Sequence, residues 1–357
     1  MGILSRPCVR RRAFELFHWS HELTHLALTV TTLWHATSAW QCVVRARVRA
    51  SPYSDGELRT VARRYLLGGL VLWLVDHALR FSAVRRHVRV CSLDVEADGA
   101  VICLGYECDV PGAAAAGAES EGPLAHAMGQ FVFLQVPAIA TLEWHPFSIS
   151  SAPADMAPGD LLTTHHIRCV GDASFTGRLR ALARSIDGDG DALASLVVNV
   201  DGPYGLPTEF ERYDEILFVG GGIGVTPLHS SFRALYQLAK HNPAAMPCAR
   251  VRLVWCARTP EIFELFAPTF HDAARDDLDG KFGVSLYCDM APKDEFAESD
   301  ALPFEHGRPD LAAHIAALAP RGMRALVFVC SVPPVAKLCS ELTMKHGVDF
   351  HSETFFF

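Results

Sequence analysis

Between Glu215 and His241 the chain reads EILFVGGGIGVTPLHSSFRALYQLAKH, and this stretch restricts the possible folds more than any other. A short apolar run ends in glycines at 220, 221, 222 and 224, and a helical pattern follows. Strand, glycine turn and helix in that order make a βα unit of a parallel, doubly wound sheet. The rest of residues 208–357 agrees. RVRLVWCART, VSLYC and ALVFVCS read as strands, and EIFELFAPTF and VPPVAKLCSELTMKHG read as helices.

Residues 89–207 have a different pattern. VRVCSLDVEADGAVICLGY alternates polar and apolar about Asp98-Gly99, a hairpin signal. GQFVFLQVPAI and HHIRCVG are further strands, and SFTGRLRALARSI is helical in pattern. Many short strands punctuated by Gly and Pro predict a small antiparallel β-barrel. Residues 112–122, GAAAAGAESEG, read as a flexible insertion.

Residues 1–88 predict a membrane helical hairpin. From Ala13 to Val44 there is no Lys or Arg, and Glu15 and Glu22 are the only acids. A helix needs about 20 apolar residues to cross a bilayer. Tyr65–Val75 is a shorter run that spans only if its flanks extend it, with Arg80 snorkelling. Arginines at 10–12 and at 85, 86 and 89 place both ends in the cytosol. Arg45, Arg47 and Arg49 in the connecting loop oppose that topology. Half of the chain is hydrophobic, which is high for a soluble protein and low for a polytopic one. A net charge of -8 gives no case for nucleic-acid binding. Eleven cysteines without a CxxC pair argue against zinc and a disulfide framework, and for buried, reduced thiols. MGILSRPCVRRR reaches its arginines without an apolar core, so no cleavable signal sequence is expected.

Several constellations carry chemistry. Gly220, Gly221, Gly222, Ile223, Gly224, Val225, Thr226 and Pro227 can bring main-chain N–H groups and a helix N-terminus to a dinucleotide phosphate. The plain alternative is a tight βα turn. Arg258, closing the next strand, can pair with a ribose 2′-phosphate or simply end that strand in solvent. In His145-Pro146-Phe147-Ser148 the aromatic ring can flank a flavin while the hydroxyl meets its polar edge, or the segment simply begins a turn. Arg168, two residues after His166, can hold a pyrophosphate bidentately or stand as a solvated strand residue. His21 and His35 are fourteen residues apart, about 21 Å along a helix and on nearly the same face. Two imidazoles at two depths of a bilayer suit haem iron, and the plain alternative is a polar lining or interfacial anchoring.

The order WHPFSIS, HHIR, DGPYG, VGGGIGVTP, WCAR, HGRPD, FVCSVP, ETF resembles the ferric reductase/NADPH oxidase superfamily, over roughly residues 10–357. The dehydrogenase halves of that superfamily are similar to ferredoxin–NADP reductase. The resemblance implies that His145, Pro146, Phe147 and Ser148 hold the FAD isoalloxazine and ribityl. His166, Ile167 and Arg168 would meet its pyrophosphate, supported by Thr176. Gly202 and Pro203, with Tyr204 and Gly205, would bring the nicotinamide side near the flavin. Cys330 would open a second nicotinamide-facing loop, and Phe355 would stack on the flavin and yield to nicotinamide. That loop reads Cys330-Ser331-Val332-Pro333 where the family usually has Cys-Gly-Pro, and Phe356 and Phe357 follow the stacking position.

By the same resemblance, His21 and His35 match the two haem b ligand positions of the family's fifth membrane helix. The other ligands of each haem come from an earlier helix, and the family's first four membrane helices are missing from this sequence, so either the chain is incomplete or a homologous or partner subunit supplies them. The activity implied is NADPH oxidation through FAD and haem, ending on ferric iron. The fourteen-residue histidine interval leans toward ferric-chelate reductases. LEWHPF, Leu142 to Phe147, leans toward superoxide-generating oxidases. A third possibility is a non-catalytic subunit of a full-length homologue. In each case the protein would be integral to a membrane, with its dehydrogenase domains in the cytosol.

Overall fold

The computed structural model describes residues 71–72, 74–75, 86–109, 121–141, 143–157, 161–290, 303–318 and 323–353. His21, His35 and Phe355 lie outside the described residues. So do the two candidate membrane spans, apart from Val71, Leu72, Leu74 and Val75, which are helical and exposed. Among the described residues no helix is long and apolar enough to cross a membrane. The described residues from Arg86 to Glu353 form one compact unit.

Its first part is an antiparallel barrel. The strands are β1 (Arg86–Glu96), β2 (Val101–Asp109), β3 (Glu121–Gly122), β4 (Phe131–Gln135), β5 (His145–Ser148), β6 (Thr163–Arg168) and β7 (Val198–Tyr204). They run in the order β6-β2-β1-β7-β4-β5, with β3 beyond β2. Ser150 N donates to Thr164 O at 2.8 Å, which joins the end of β5 to β6 and closes the barrel. The hairpin turns where Asp98-Gly99 predicts it, with Ala97, Asp98 and Gly99 all at positive φ. One expectation is corrected. Glu121 and Gly122, read as part of a flexible insertion, pair with Asp109 and Cys108 as β3. Alternate residues such as Ile102, Leu104, Val132, Leu134, Ile149 and Ile167 fill the core. Helix α1 (Phe175–Ser185) adds Phe175, Leu179 and Ala183 to it. A short α2 (Gly190–Ser195) precedes β7.

The second part is a parallel sheet of β8 (Glu215–Gly221), β9 (Arg250–Ala257), β10 (Phe282–Cys288), β11 (Glu305–His306), β12 (Ala325–Cys330) and β13 (Asp349–Glu353). The order β11-β10-β9-β8-β12-β13 shows the chain working outward from β8, then returning to its other side. The central strands are apolar on both faces because both are covered. Phe218 and Phe328 pack with α3 (Val225–His241) and α5 (Ala267–Asp276). Val219 and Val327 pack with α6 (Leu311–Ala316) and α7 (Pro333–His346). The predicted helix EIFELFAPTF is in fact two, α4 (Glu261–Glu264) and α5. Phe266 breaks it, with φ -124° and ψ 7°, and its ring is buried.

Candidate active site

In open parallel sheets, ligands bind beyond the carboxyl ends of the strands where the order reverses. Here that point lies between β8 and β12, and candidate residues end both strands. Gly220 is in register with Cys330, and Cys330 with Glu353 on β13. The glycine turn enters α3 at Val225. Gly222 has φ +55°, and no atom lies within 4 Å of where a Cβ would stand. That open left-handed position lets a phosphate approach the main chain. At Gly224 a methyl group would collide with the Cys330 carbonyl, so the turn packs directly on the Cys330 loop. Among the described residues no side chain caps α3, so its positive dipole end remains for an anion. Thr226 braces the turn by donating to Ile223 O at 2.7 Å. Trp255 Nε1 donates to Gly222 O at 2.8 Å and fixes it from β9. Val225 and Pro227 are buried beneath it.

Arg258 emerges at the same sheet edge, exposed, with its carbonyl held by the Cys288 thiol at 3.2 Å. The Cys330 thiol is buried. Burial, and then the neighbouring Glu353, push it up to about 12. It therefore sits beside the turn as a neutral thiol at ordinary pH. Burial pushes the Glu353 carboxyl from 4.5 up to about 7, and its buried Oε2 has no hydrogen-bond partner among the described residues. An unpaired buried carboxyl suits an incoming N–H donor such as a carboxamide.

The strand pleat divides the flavin candidates between two faces. His145 and Phe147 turn inward toward Phe175, with ring centroids 4.2 and 6.2 Å from it. Pro146 and Ser148 point the other way, opposite Phe133 and Phe131. Phe131 in turn faces Tyr204, the residue after Gly202-Pro203. Phe131, Phe133 and Tyr204 form an aromatic cluster with centroids 5.6 to 6.0 Å apart. On β6, Ile167 is buried in the barrel core, which leaves only its main chain for a cofactor. His166 and the exposed Arg168 share the outer face. Thr176 sits in the first turn of α1, where its hydroxyl accepts from Val170 N at 3.0 Å. The outer face thus combines an aromatic cluster, the Ser148 hydroxyl and the Arg168 guanidinium, a donor set that fits a flavin dinucleotide.

Six further residues matter that the sequence did not single out: Glu353, Trp255, His165, His229, Ser230 and Phe266. His165 Nδ1 donates to Ser148 O at 2.8 Å, and its Nε2 lies 3.1 Å from the Tyr106 hydroxyl. His229 and Ser230 bond the carbonyls of Ser150 and Ser151 from α3. The available signal was the polar run His229, Ser230 and Ser231 between the apolar Leu228 and Phe232 of α3, since buried polar groups need partners.

A closed antiparallel barrel joined to a doubly wound sheet, with a glycine turn at the reversal, defines a dehydrogenase of the ferredoxin–NADP reductase fold. Residues 118–208 match an FAD-binding domain family, and residues 213–302 match the ferric reductase NAD binding domain family. The chain carries the FAD- and NAD(P)H-binding domains of the ferric reductase/NADPH oxidase superfamily. It is 28% identical over 270 residues to "Ferric reduction oxidase 8, mitochondrial" of Arabidopsis thaliana, covering 75% of this chain and 31% of that protein. It is 29% identical over 233 residues to human NADPH oxidase 3, covering 64% of this chain and 36% of that one. The chain therefore spans about a third of these relatives' length. Two solved structures share the fold. The cytochrome b5 reductase domain of Ulva prolifera nitrate reductase has a TM-score of 0.52 and 14% identity, covering 75% of this chain and 97% of that one. The flavohem-like FAD/NAD-binding domain of nitric oxide dioxygenase from Vibrio cholerae O1 biovar El Tor has a TM-score of 0.51 and 16% identity, covering 76% and 99%.

Proposed function

We propose that this chain is the electron-input part of a membrane-bound ferric-chelate reductase, drawing on NADPH. The observation that carries the reading is the meeting, at the β8–β12 reversal, of an open glycine turn, an uncapped helix N-terminus and an unpaired Glu353 carboxyl oxygen. Gly220–Gly224 would hold the pyrophosphate, and Arg258 would meet the 2′-phosphate that distinguishes NADPH from NADH. Glu353 would hold the carboxamide, and the Cys330 loop would orient the ring. Bound FAD supplies the conversion of a hydride into two single electrons. On the flavin side, Ser148 would bond the ring's polar edge and Arg168 the pyrophosphate. His21 and His35 would ligate haem b at two depths of the bilayer, with the other ligands from an earlier helix of the same protein or from a homologous or partner subunit.

Support for ferric iron as acceptor is the match of residues 213–302 to the ferric reductase NAD binding domain family. The likeness to NADPH oxidases supports a second reading, in which oxygen is the acceptor and superoxide the product. The test uses membranes expressing the full chain, given NADPH. Reduction of a ferric chelate that superoxide dismutase leaves unchanged is expected. Dismutase-sensitive reduction of cytochrome c, without chelate reduction, selects the oxidase. Failure of NADPH to bleach the flavin at all sinks both.

A further inference from the structure

Helix α3 has two jobs in the structure, one turn apart. Its first turn, Val225–Pro227, continues the glycine turn. Its second turn grips the flavin strand. His229 Nδ1 donates to Ser150 O at 2.9 Å, and its Nε2 takes the Thr269 hydroxyl of α5 at 2.9 Å. Ser230 Oγ donates to Ser151 O at 2.7 Å. Ser150 and Ser151 directly continue β5, whose Ser148 is the flavin-edge candidate. From β6, His166 Nδ1 bonds Ser150 Oγ at 2.8 Å. The Phe266 ring fills the space between, 4.4 Å from His166 and 4.2 Å from His229. It also lies 5.9 Å from Trp255, which holds Gly222. Ala234, on the next turn, packs against Ala152 and Ala157 of the barrel segment.

We propose that His229 is a positioning residue for hydride transfer, fixing the flavin strand at Ser150 to the helix that begins at the glycine turn. This rests on the NADPH-to-FAD reading above. Hydride transfer is sensitive to donor–acceptor separation, because the reacting atoms must stand within about 3.5 Å. A bond from α3 to the carbonyl two residues beyond Ser148 sets that separation directly. A donor is required there. The Ser150 carbonyl is buried and would lose its partner if His229 were apolar. The imidazole is suited to the task because it bonds both sides at once, Ser150 of the barrel and Thr269 of the sheet domain. Burial holds it well below the ordinary imidazole range, at about 3, so it works as a neutral ring.

The experiment compares the full chain, loaded with FAD, with His229→Leu and His229→Asn. Stopped-flow bleaching of the flavin by NADPH and by its deuterated form gives the hydride-transfer rate and its isotope effect. FAD content and NADP⁺ affinity are measured separately. His229→Leu is expected to slow hydride transfer by about tenfold to a hundredfold. FAD content and NADP⁺ affinity should stay within about threefold of the parent, and the isotope effect should rise. His229→Asn keeps an N–H for Ser150 O and is expected to restore most of the rate. A rate for His229→Leu within about twofold of the parent overturns the proposal. So does a rate loss matched by an equal loss of bound FAD or NADP⁺, which marks collapse of the site. If His229→Leu does not fold, Thr269→Val and Ser230→Ala decide, since each removes one bond of the same joint. A parent that NADPH cannot bleach overturns the NADPH reading itself and the positioning role with it.

Discussion

Glu353 is the most perturbed carboxyl at the site, and its replacement by Gln gives a quantitative test. Burial holds it at about 7, against an ordinary 4.5. Below about pH 4.5 the folded and unfolded chains both carry the proton. Between 4.5 and 7 the unfolded chain releases it while the folded chain keeps it, so stability falls as pH rises. Above 7 the buried carboxylate is ionised and the full cost is present. Moving from 4.5 to about 7 at about 1.4 kcal/mol per pH unit makes the ionised form cost roughly 3–4 kcal/mol. Glu353→Gln keeps the shape and never ionises. The two proteins should therefore unfold alike near about pH 4 and diverge at about pH 8.5, with the variant the more stable. For a unit of this size the gap in Tm is roughly 6–12 °C. The assay is thermal unfolding of FAD-loaded parent and variant across pH without nicotinamide. Other titrating groups are common to both and cancel in the difference. A gap that is the same at both pH values refutes the reasoning, because Glu353 would then be ionised throughout or neutral throughout.

Three further outcomes are expected. Burial lowers His165 from 6.5 to about 3, so its contribution is lost as pH falls from 6.5 toward 3. His165→Gln should take up one proton fewer on unfolding in that window, read as a shallower slope of unfolding free energy against pH; an unchanged slope counts against it. Trp255→Phe removes the bond to Gly222 O, worth about 1 kcal/mol, and should weaken NADP⁺ binding about fivefold with FAD content unchanged. Unaltered affinity would show that the turn holds itself. Arg258→Ala should lower the preference for NADPH over NADH by about tenfold or more in kcat/KM, since a charged hydrogen bond is worth about 1.5–3 kcal/mol. A constant ratio would mean that another group reads the 2′-phosphate.

The βα unit at 215–241 was legible in the sequence because its evidence is local: apolar strand, glycines, amphipathic helix. The hairpin at Asp98-Gly99 was legible for the same reason. The glycine turn itself could be placed, because glycine readily turns left-handed at 222 and leaves room to pack against Cys330 at 224. What the sequence could not show is which face each side chain of HPFS and HIR takes. That depends on register with β4 and on barrel closure, both long-range. It sends Phe147 and Ile167 inward and leaves Ser148 and Arg168 outward. The break at Phe266 was hidden for a similar reason. EIFELFAPTF has helical periodicity, but burying the Phe266 ring between His166 and His229 outweighs one continuous helix. Local chemistry thus determined the elements and the glycine turn. The tertiary structure alone determined how the segment after β5 is tied to that turn, because its ties run between residues as far apart as Ser150 and His229.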